Sequence, residues 1–214
     1  MAGLRLESLR PRVLTAVTLE LGAGELVLIS GPSGSGKSLL LRAIADLDPH
    51  EGEVWLDDEP RSAMAAHRWR RRVGLLPAES FWWDDRVGPH FPEVAGDPSP
   101  FRGLLGDLGF EPDVIGWSVS RLSTGERQRL ALARLLAQQP EALLLDEATA
   151  NLDPANRDRV ESVVEAYRRE QAAATLWVSH DPAQRERLTA HGGGRQLAIR
   201  DGRLEPEGGG GSWA

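Results

Sequence analysis

Apolar positions along the chain follow two periods. Short runs that are apolar throughout or at every second position, around residues 4–6, 17–21 and 25–30, predict strands, with the turn Gly22-Ala23-Gly24 between the last two. A helix is expected to start near Lys37 and to run through Leu39, Leu40, Leu41 and Ile44. Pro49 and Gly52 mark a turn before a strand at 53–57, and an arginine-rich helix precedes another at 72–76.

From 78 to 121 the texture changes. Pro89, Pro92, Pro98, Pro100 and Pro112 break the segment into short apolar pieces, which reads as an inserted, mostly helical subdomain. Residues 124–139 then form a strong amphipathic helix, 142–146 a buried strand, 154–170 a helix, 175–179 a strand and 196–200 a last strand. Helices that alternate with short apolar strands predict a largely parallel sheet covered on both faces. Glycines 208–211 read as part of a flexible tail over 208–214, and no internal repeat is visible.

Composition narrows the class. At 214 residues, 41% hydrophobic and 27% charged, the chain suits one well-buried domain, so neither disorder nor a fibrous repeat is indicated. The net charge of -7 argues against a nucleic-acid partner. Cysteine is absent, which excludes disulfides, cysteine-ligated zinc and thiol catalysis. No run approaches the roughly 18 apolar residues of a membrane span, and the opening MAGLRLESLRPRV lacks the apolar core of a secretion signal. A cytoplasmic protein is the expectation.

Lys37 is the only lysine, and it stands in a glycine-rich loop. Gly31-Pro32-Ser33-Gly34-Ser35-Gly36-Lys37-Ser38 fits G-x-x-x-x-G-K-[ST] between a predicted strand and a predicted helix. Glycines let backbone N–H groups turn inward around phosphate, and the helix N-terminus adds its positive end. Lys37 would reach the β and γ phosphates, and the Ser38 hydroxyl would ligate Mg²⁺. Leu143-Leu144-Leu145-Asp146-Glu147 is an apolar strand ending in two acids, at the edge of a parallel sheet where ligands collect. Asp146 would hold Mg²⁺ through its water shell, and Glu147 would orient or deprotonate the attacking water. Guanine-specific enzymes read their base with an element that needs a second lysine, so ATP is the expected nucleotide.

Ser123-Thr124-Gly125-Glu126 forms a capping box ahead of the helix that starts at about 124. With Leu122 it resembles LSGGQ, the signature of the ATP-binding cassette family, and like that signature it lies just before the acidic strand. Ala150-Asn151-Leu152-Asp153 is similar to the family's D-loop, and Trp177-Val178-Ser179-His180-Asp181 to its switch-histidine strand. The resemblance covers about residues 4–204. It implies an α/β fold: a RecA-like P-loop NTPase core with a parallel sheet, an N-terminal antiparallel β-subdomain and an inserted helical subdomain. A single nucleotide-binding domain would span 1–207, its core at about 1–77 and 138–207 and its helical subdomain at about 78–137. The resemblance also implies the mechanism. ATP is held by the phosphate loop of one subunit and the signature of another, so Ser123 and Gly125 would face the partner's γ-phosphate. His180 would contact the γ-phosphate and hold Glu147 and water in line, and Asp153 would help join the two sites. The expected partners are a second copy and a separate membrane permease, which would hold the protein at the inner face of the membrane.

Three elements depart from the family pattern. Ala78 falls where the family carries a glutamine that senses Mg²⁺ and couples to the permease. No aromatic lies near residues 9–12 to stack on adenine, where Arg10 or Arg12 would offer a guanidinium plane instead. Thr124 and Glu126 replace a glycine and the glutamine of the signature. Trp82 and Trp83 either anchor a permease helix or pack inside the helical subdomain. Within the family, the chain looks most similar to the ATPases of Fet-type iron exporters. Lipoprotein-release or macrolide-export ATPases and a low-turnover regulatory cassette are the alternatives.

Overall fold

The computed structural model describes residues 3–91 and 99–207. Along the chain run β1 (Leu4–Arg10), β2 (Val17–Leu21), β3 (Leu26–Ser30), α1 (Lys37–Ile44), β4 (Glu51–Leu56), β5 (Glu59–Pro60), α2 (Ala66–Arg72), β6 (Val73–Leu76) and α3 (Ser99–Asp107). There follow α4 (Thr124–Leu136), β7 (Ala142–Asp146), α5 (Pro154–Gln171), β8 (Ala174–Val178), α6 (Pro182–Gly192), β9 (Arg195–Arg200) and β10 (Arg203–Pro206).

The central sheet has the order β10-β9-β3-β8-β7-β6, parallel except for the β9-β10 hairpin. All five residues of β3, β7 and β8 are buried, as expected of strands covered on both faces. Alternate side chains enter different cores. Val27, Ile29, Leu144, Leu176 and Val178 pack with α1 and the N-terminal sheet, while Leu28, Leu143, Leu145 and Trp177 pack with α4 and α5. A one-residue slip of any of these strands would exchange the two sets, so the register is strongly specified. The N-terminal sheet is antiparallel, in the order β2-β1-β4-β5, and faces the first core with Leu4, Leu6, Leu19, Val54 and Leu56.

The expected strands and helices that flank the phosphate loop and the acidic strand occur within a residue or two of their predicted limits. The segment 78–121 is less helical than expected. Within its described residues α3 is the one α-helix, and the remainder is loop with single 3₁₀ turns such as Gly88–His90 and Pro112–Gly116. Proline supplies no N–H and permits only short helical turns here. Pro92, Pro98 and the 208–214 tail lie outside the described residues. The strand at 195–200 is followed by a further one. Asp201 and Gly202 both take positive φ (48° and 73°), the geometry of a tight hairpin turn, and an Asp-Gly pair favours it. No described helix is long and apolar enough to cross a membrane.

Trp82 and Trp83 share contacts but differ in exposure. Both rings meet the buried His90 edge-on, at 4.7 and 4.2 Å, beneath the Arg134 guanidinium. Trp82 is half-buried, whereas Phe81 and Trp83 are 73% and 61% exposed. Trp83, His90, Arg134, Arg70 and Arg71 line a groove of about 560 Å³ beside β6.

The N-terminal sheet bends at a bulge where the β1 ladders shift register, with Ser8 at φ 49° and Gly52 of β4 at φ 83°. A Cβ on Gly52 would lie 2.4 Å from the Ser8 carbonyl oxygen. Gly52→Ala is therefore expected to cost at least about 1 kcal/mol, read as a lower denaturation midpoint with nucleotide binding retained in the folded fraction.

Candidate active site

Three neighbouring parallel strands deliver the site. The phosphate loop leaves β3, Ser179 and His180 leave β8, and Asp146 and Glu147 end β7, all at one edge of the sheet. The loop folds back on itself through three glycines with positive φ: Gly31 (145°), Gly34 (77°) and Gly36 (102°). Gly36 is the N-cap of α1 and supplies no side-chain cap, so the helix start keeps N–H donors for an anion. The buried Ser35 hydroxyl has no hydrogen-bond partner among the described residues. Pro32, Ser33 and Gly34 form the exposed rim.

Lys37 bends back over the loop, donating from Nζ to the carbonyls of Gly31 (2.9 Å) and Pro32 (2.8 Å). Burial pushes its pKa down, and the nearby Glu147 and Asp146 oppose that shift. Desolvation raises the pKa of Asp146, and a hydrogen bond from the Ser38 hydroxyl offsets part of the rise. Ser38 and Asp146 are thus adjacent oxygen donors. A hydroxyl and one carboxylate suit a hard cation that keeps most of its water, as Mg²⁺ does. No cluster of three or more His, Asp or Glu able to bind metal occurs among the described residues.

Glu147 Oε1 lies 3.0 Å from His180 Nε2. Glu147 itself has φ 51°, in the left-handed region, and its N–H donates to the Val178 carbonyl at 3.1 Å. That turn aims the carboxylate across the strand end towards His180. Lys37, Ser38, Asp146, Glu147 and His180 therefore gather at one point.

Among the described residues, no hydrogen bond or ion pair joins Ser123 or Gly125 to that group. Ser123 caps α4 as the sequence pattern predicts, accepting from the Glu126 N–H (3.2 Å) while its own N–H donates to the Glu126 carboxylate (2.8 Å). Those bonds hold the Glu126 carboxyl below its ordinary pKa, the Ser123 backbone N–H contributing most. A Cβ on Gly125 would sit 3.1 Å from Leu152 Cδ2 and 3.4 Å from the Asn151 carbonyl, so the start of α4 rests on the 150–153 loop. Asp153 caps α5 by accepting from the Asn156 N–H at 3.0 Å.

At the departures from the family pattern, Ala78 and Glu79 are exposed, and their loop is held by a residue that sequence reasoning passed over. The buried Gln128 of α4 donates to the Pro77 carbonyl and accepts from the Ser80 hydroxyl, each at 3.3 Å. Arg10 pairs with Glu51 at 3.4 Å. The exposed side chain against the phosphate loop is Val13, whose Cγ2 is 2.9 Å from a Cβ built on Gly36. Gln184, whose amide joins the two loops carrying Glu147 and His180, was likewise missed. Periodicity carried no signal for it.

A parallel sheet with a glycine loop, a lysine and two acids at one edge defines a P-loop nucleotide-binding ATPase. The profile of the ABC transporter family matches residues 14–150, and the chain belongs to that family as an ATP-binding subunit. The probable iron export ATP-binding protein FetA of Escherichia coli (strain K12) is 35% identical over 177 residues, 79% of each chain. The phosphate import ATP-binding protein PstB of Aeropyrum pernix is 31% identical over 215 residues, covering 88% of this chain and 83% of its own. A solved bacterial Atm1-family ABC exporter with ATP bound superposes with a TM-score of 0.80 at 25% identity, over 95% of this chain and 38% of the exporter chain.

Gly31 gives a direct check of the cradle. A Cβ there would meet the Ile199 carbonyl at 2.6 Å and the Ser35 hydroxyl at 2.9 Å, on a backbone only glycine readily adopts. Gly31→Ala is expected to weaken ATP binding at least about tenfold, a loss of about 1.4 kcal/mol, measured by titration with a fluorescent ATP analogue.

Proposed function

We propose that this chain is the motor of a transporter, closing as a dimer around ATP and passing that motion to a separate membrane permease. The observation that carries the reading is the division of the site. Lys37, Ser38, Asp146, Glu147 and His180 converge, whereas Ser123 and Gly125 stand apart at the start of α4. A single copy holds an incomplete site. In the assembly, loop 31–38 of one copy and Ser123 with Gly125 of the other enclose each triphosphate, and Asp153 lies where the two sites join.

In the proposed reaction, the α1 N-terminus and the loop amides bind the phosphates, and Lys37 exchanges its carbonyl partners for the β and γ oxygens. Ser38 and Asp146 would hold Mg²⁺, which when bound neutralises charge on the phosphate oxygens. Glu147 accepts a proton from the attacking water at a carboxylate oxygen. His180, 3.0 Å away, keeps that carboxylate in line and contacts the γ-phosphate.

The proposed organisation is one nucleotide-binding domain over 1–207, with its core at about 1–77 and 138–207 and a helical insert at about 78–137. Leu105, Leu108, Phe110 and Val114 share a buried cluster with Leu130 and Leu136 of α4, which supports a common insert, and that cluster continues onto Leu143 and Leu145 of the sheet. If Glu147 activates water, Glu147→Gln is expected to lower ATP turnover at least about a hundredfold and to elute as a dimer with ATP on size exclusion. An active or persistently monomeric Glu147→Gln protein would remove the basis for the reading.

We extend the proposal to metal-ion export, iron being the favoured cargo, supported by the 35% identity to FetA. The permease would hold the protein at the inner face of the membrane by filling the groove beside β6, where Trp83 offers exposed aromatic surface and the exposed Phe81 stands two residues before it in the chain. Cells without the protein are expected to retain more iron under iron loading. Trp83→Ser should reproduce that defect while purified ATPase activity stays at the wild-type level. Unchanged iron content in both strains would count against the cargo and the docking face together.

A further inference from the structure

Gln184, in the first turn of α6, is 1% exposed. Its Nε2 donates to Thr149 Oγ1 and Glu161 Oε1, each at 2.8 Å, and its Oε1 accepts from the Ser179 hydroxyl at 2.6 Å. Charge fixes which way the amide faces. Glu161, paired with Arg187 at 2.7 Å, accepts only, so the NH₂ end must point to it and the carbonyl end to Ser179. The Ser179 oxygen then accepts the Asp181 N–H at 3.2 Å. No freedom to rotate the amide remains.

Thr149 lies two residues past Glu147, and Ser179 immediately precedes His180. The Glu147 N–H bond to Val178 is the last described backbone hydrogen bond between the two segments. Beyond it they are joined by side chains: Glu147 to His180, Gln184 to Thr149 and Ser179, and Arg157 to Asp181 at 3.0 Å. Ala148, Thr149 and Ser179 are buried, but packing between the two loops is incomplete. A cavity of about 240 Å³, lined by Glu147, Thr149, Arg157, His180, Asp181 and Gln184, lies between the loops and would let either one shift. Where side chains do not fill the space, directional bonds set the separation.

We propose that Gln184 is a positioning residue: by tying Thr149 to Ser179 it holds Glu147 and His180 at their working separation, so that hydrolysis depends on it and nucleotide binding does not. This rests on the roles given above to Glu147 and His180. None of the phosphate-loop residues is bonded to Gln184 in the described structure.

Gln184→Met keeps the length and bulk of the side chain, removes its hydrogen bonds and leaves Glu161 paired with Arg187. Thr149→Val cuts the same tie from the other end and serves as a second variant should the first fail to fold. Steady-state ATPase kinetics, ATP-analogue titration and thermal unfolding are measured for both, for Glu147→Gln, for His180→Ala, and for Gln184→Met combined with His180→Ala. The expected result is a kcat about ten- to a hundredfold lower, with KM and nucleotide affinity within about twofold of wild type. The two substitutions together should lose less than the product of their separate losses. Unchanged kcat, a loss confined to KM or affinity, or full multiplicativity with His180→Ala overturns the proposal. A Glu147→Gln protein that turns over normally overturns the reading of Glu147 and the role of Gln184 with it. An inactive Glu147→Gln alongside a fully active Gln184→Met overturns only the latter.

Discussion

The parallel pairing of β3, β8 and β7 brings the parts of the site to one edge of the sheet. Residues on neighbouring strands stay level because each backbone group in a parallel ladder bonds to a defined partner, as Ile29 pairs with Val178 and Leu145 with Trp177. The three strands are buried on both faces, and a shifted register would send side chains such as Trp177 into the wrong core. The chain therefore emerges at one edge three times. Those exits bring the glycine loop, the two acids and His180 together without any contact between them in sequence.

The local chemistry at that edge is held in opposition. Lys37 is the one lysine, and its ammonium is shared between loop carbonyls and the field of Asp146 and Glu147. Burial works against charge on both Lys37 and Asp146, and each lies near the opposite charge that eases the cost. A triphosphate entering the cradle meets N–H donors at the start of α1 and a lysine whose present partners are neutral carbonyls. Exchanging them for phosphate oxygens replaces neutral acceptors with charged ones, which form stronger hydrogen bonds.

The groove lies beside β6, the strand that pairs with β7, and the Glu147–His180 pair lies where β7 and β8 end. Gln128 bonds the loop at 77–80 to α4, whose first residues rest on the loop at 150–153, which in turn follows Glu147. That chain of contacts runs from the loop at 77–80 to the segment that carries Glu147, and it is built from hydrogen bonds and packing rather than from a single hinge. The family's glutamine is absent at Ala78, and Gln128 reaches the same loop from the helix side.

Much of this was legible in the chain itself. The loop 31–38 reads directly because glycine, lysine and serine each have a separate physical task, and the strand 142–146 because an unbroken apolar run ending in acids fits only a buried strand with a polar exit. The capping box at Ser123 and Glu126 was equally plain, since both its bonds lie within four residues. The segment 78–121 was harder, because prolines there replace helix with single turns whose positions depend on what they pack against. Local patterns thus determined the nucleotide loop, the acidic strand, the helix caps and the family. Tertiary structure alone decided the geometry by which Glu147 meets His180, a pairing the family resemblance implies, together with the seat of Val13 beside Gly36 and the tie that Gln184 makes between two loops. The reason is range: periodicity and caps are written over a few residues by backbone geometry, whereas those contacts join side chains separated by tens of residues, and only the closed sheet brings them within reach.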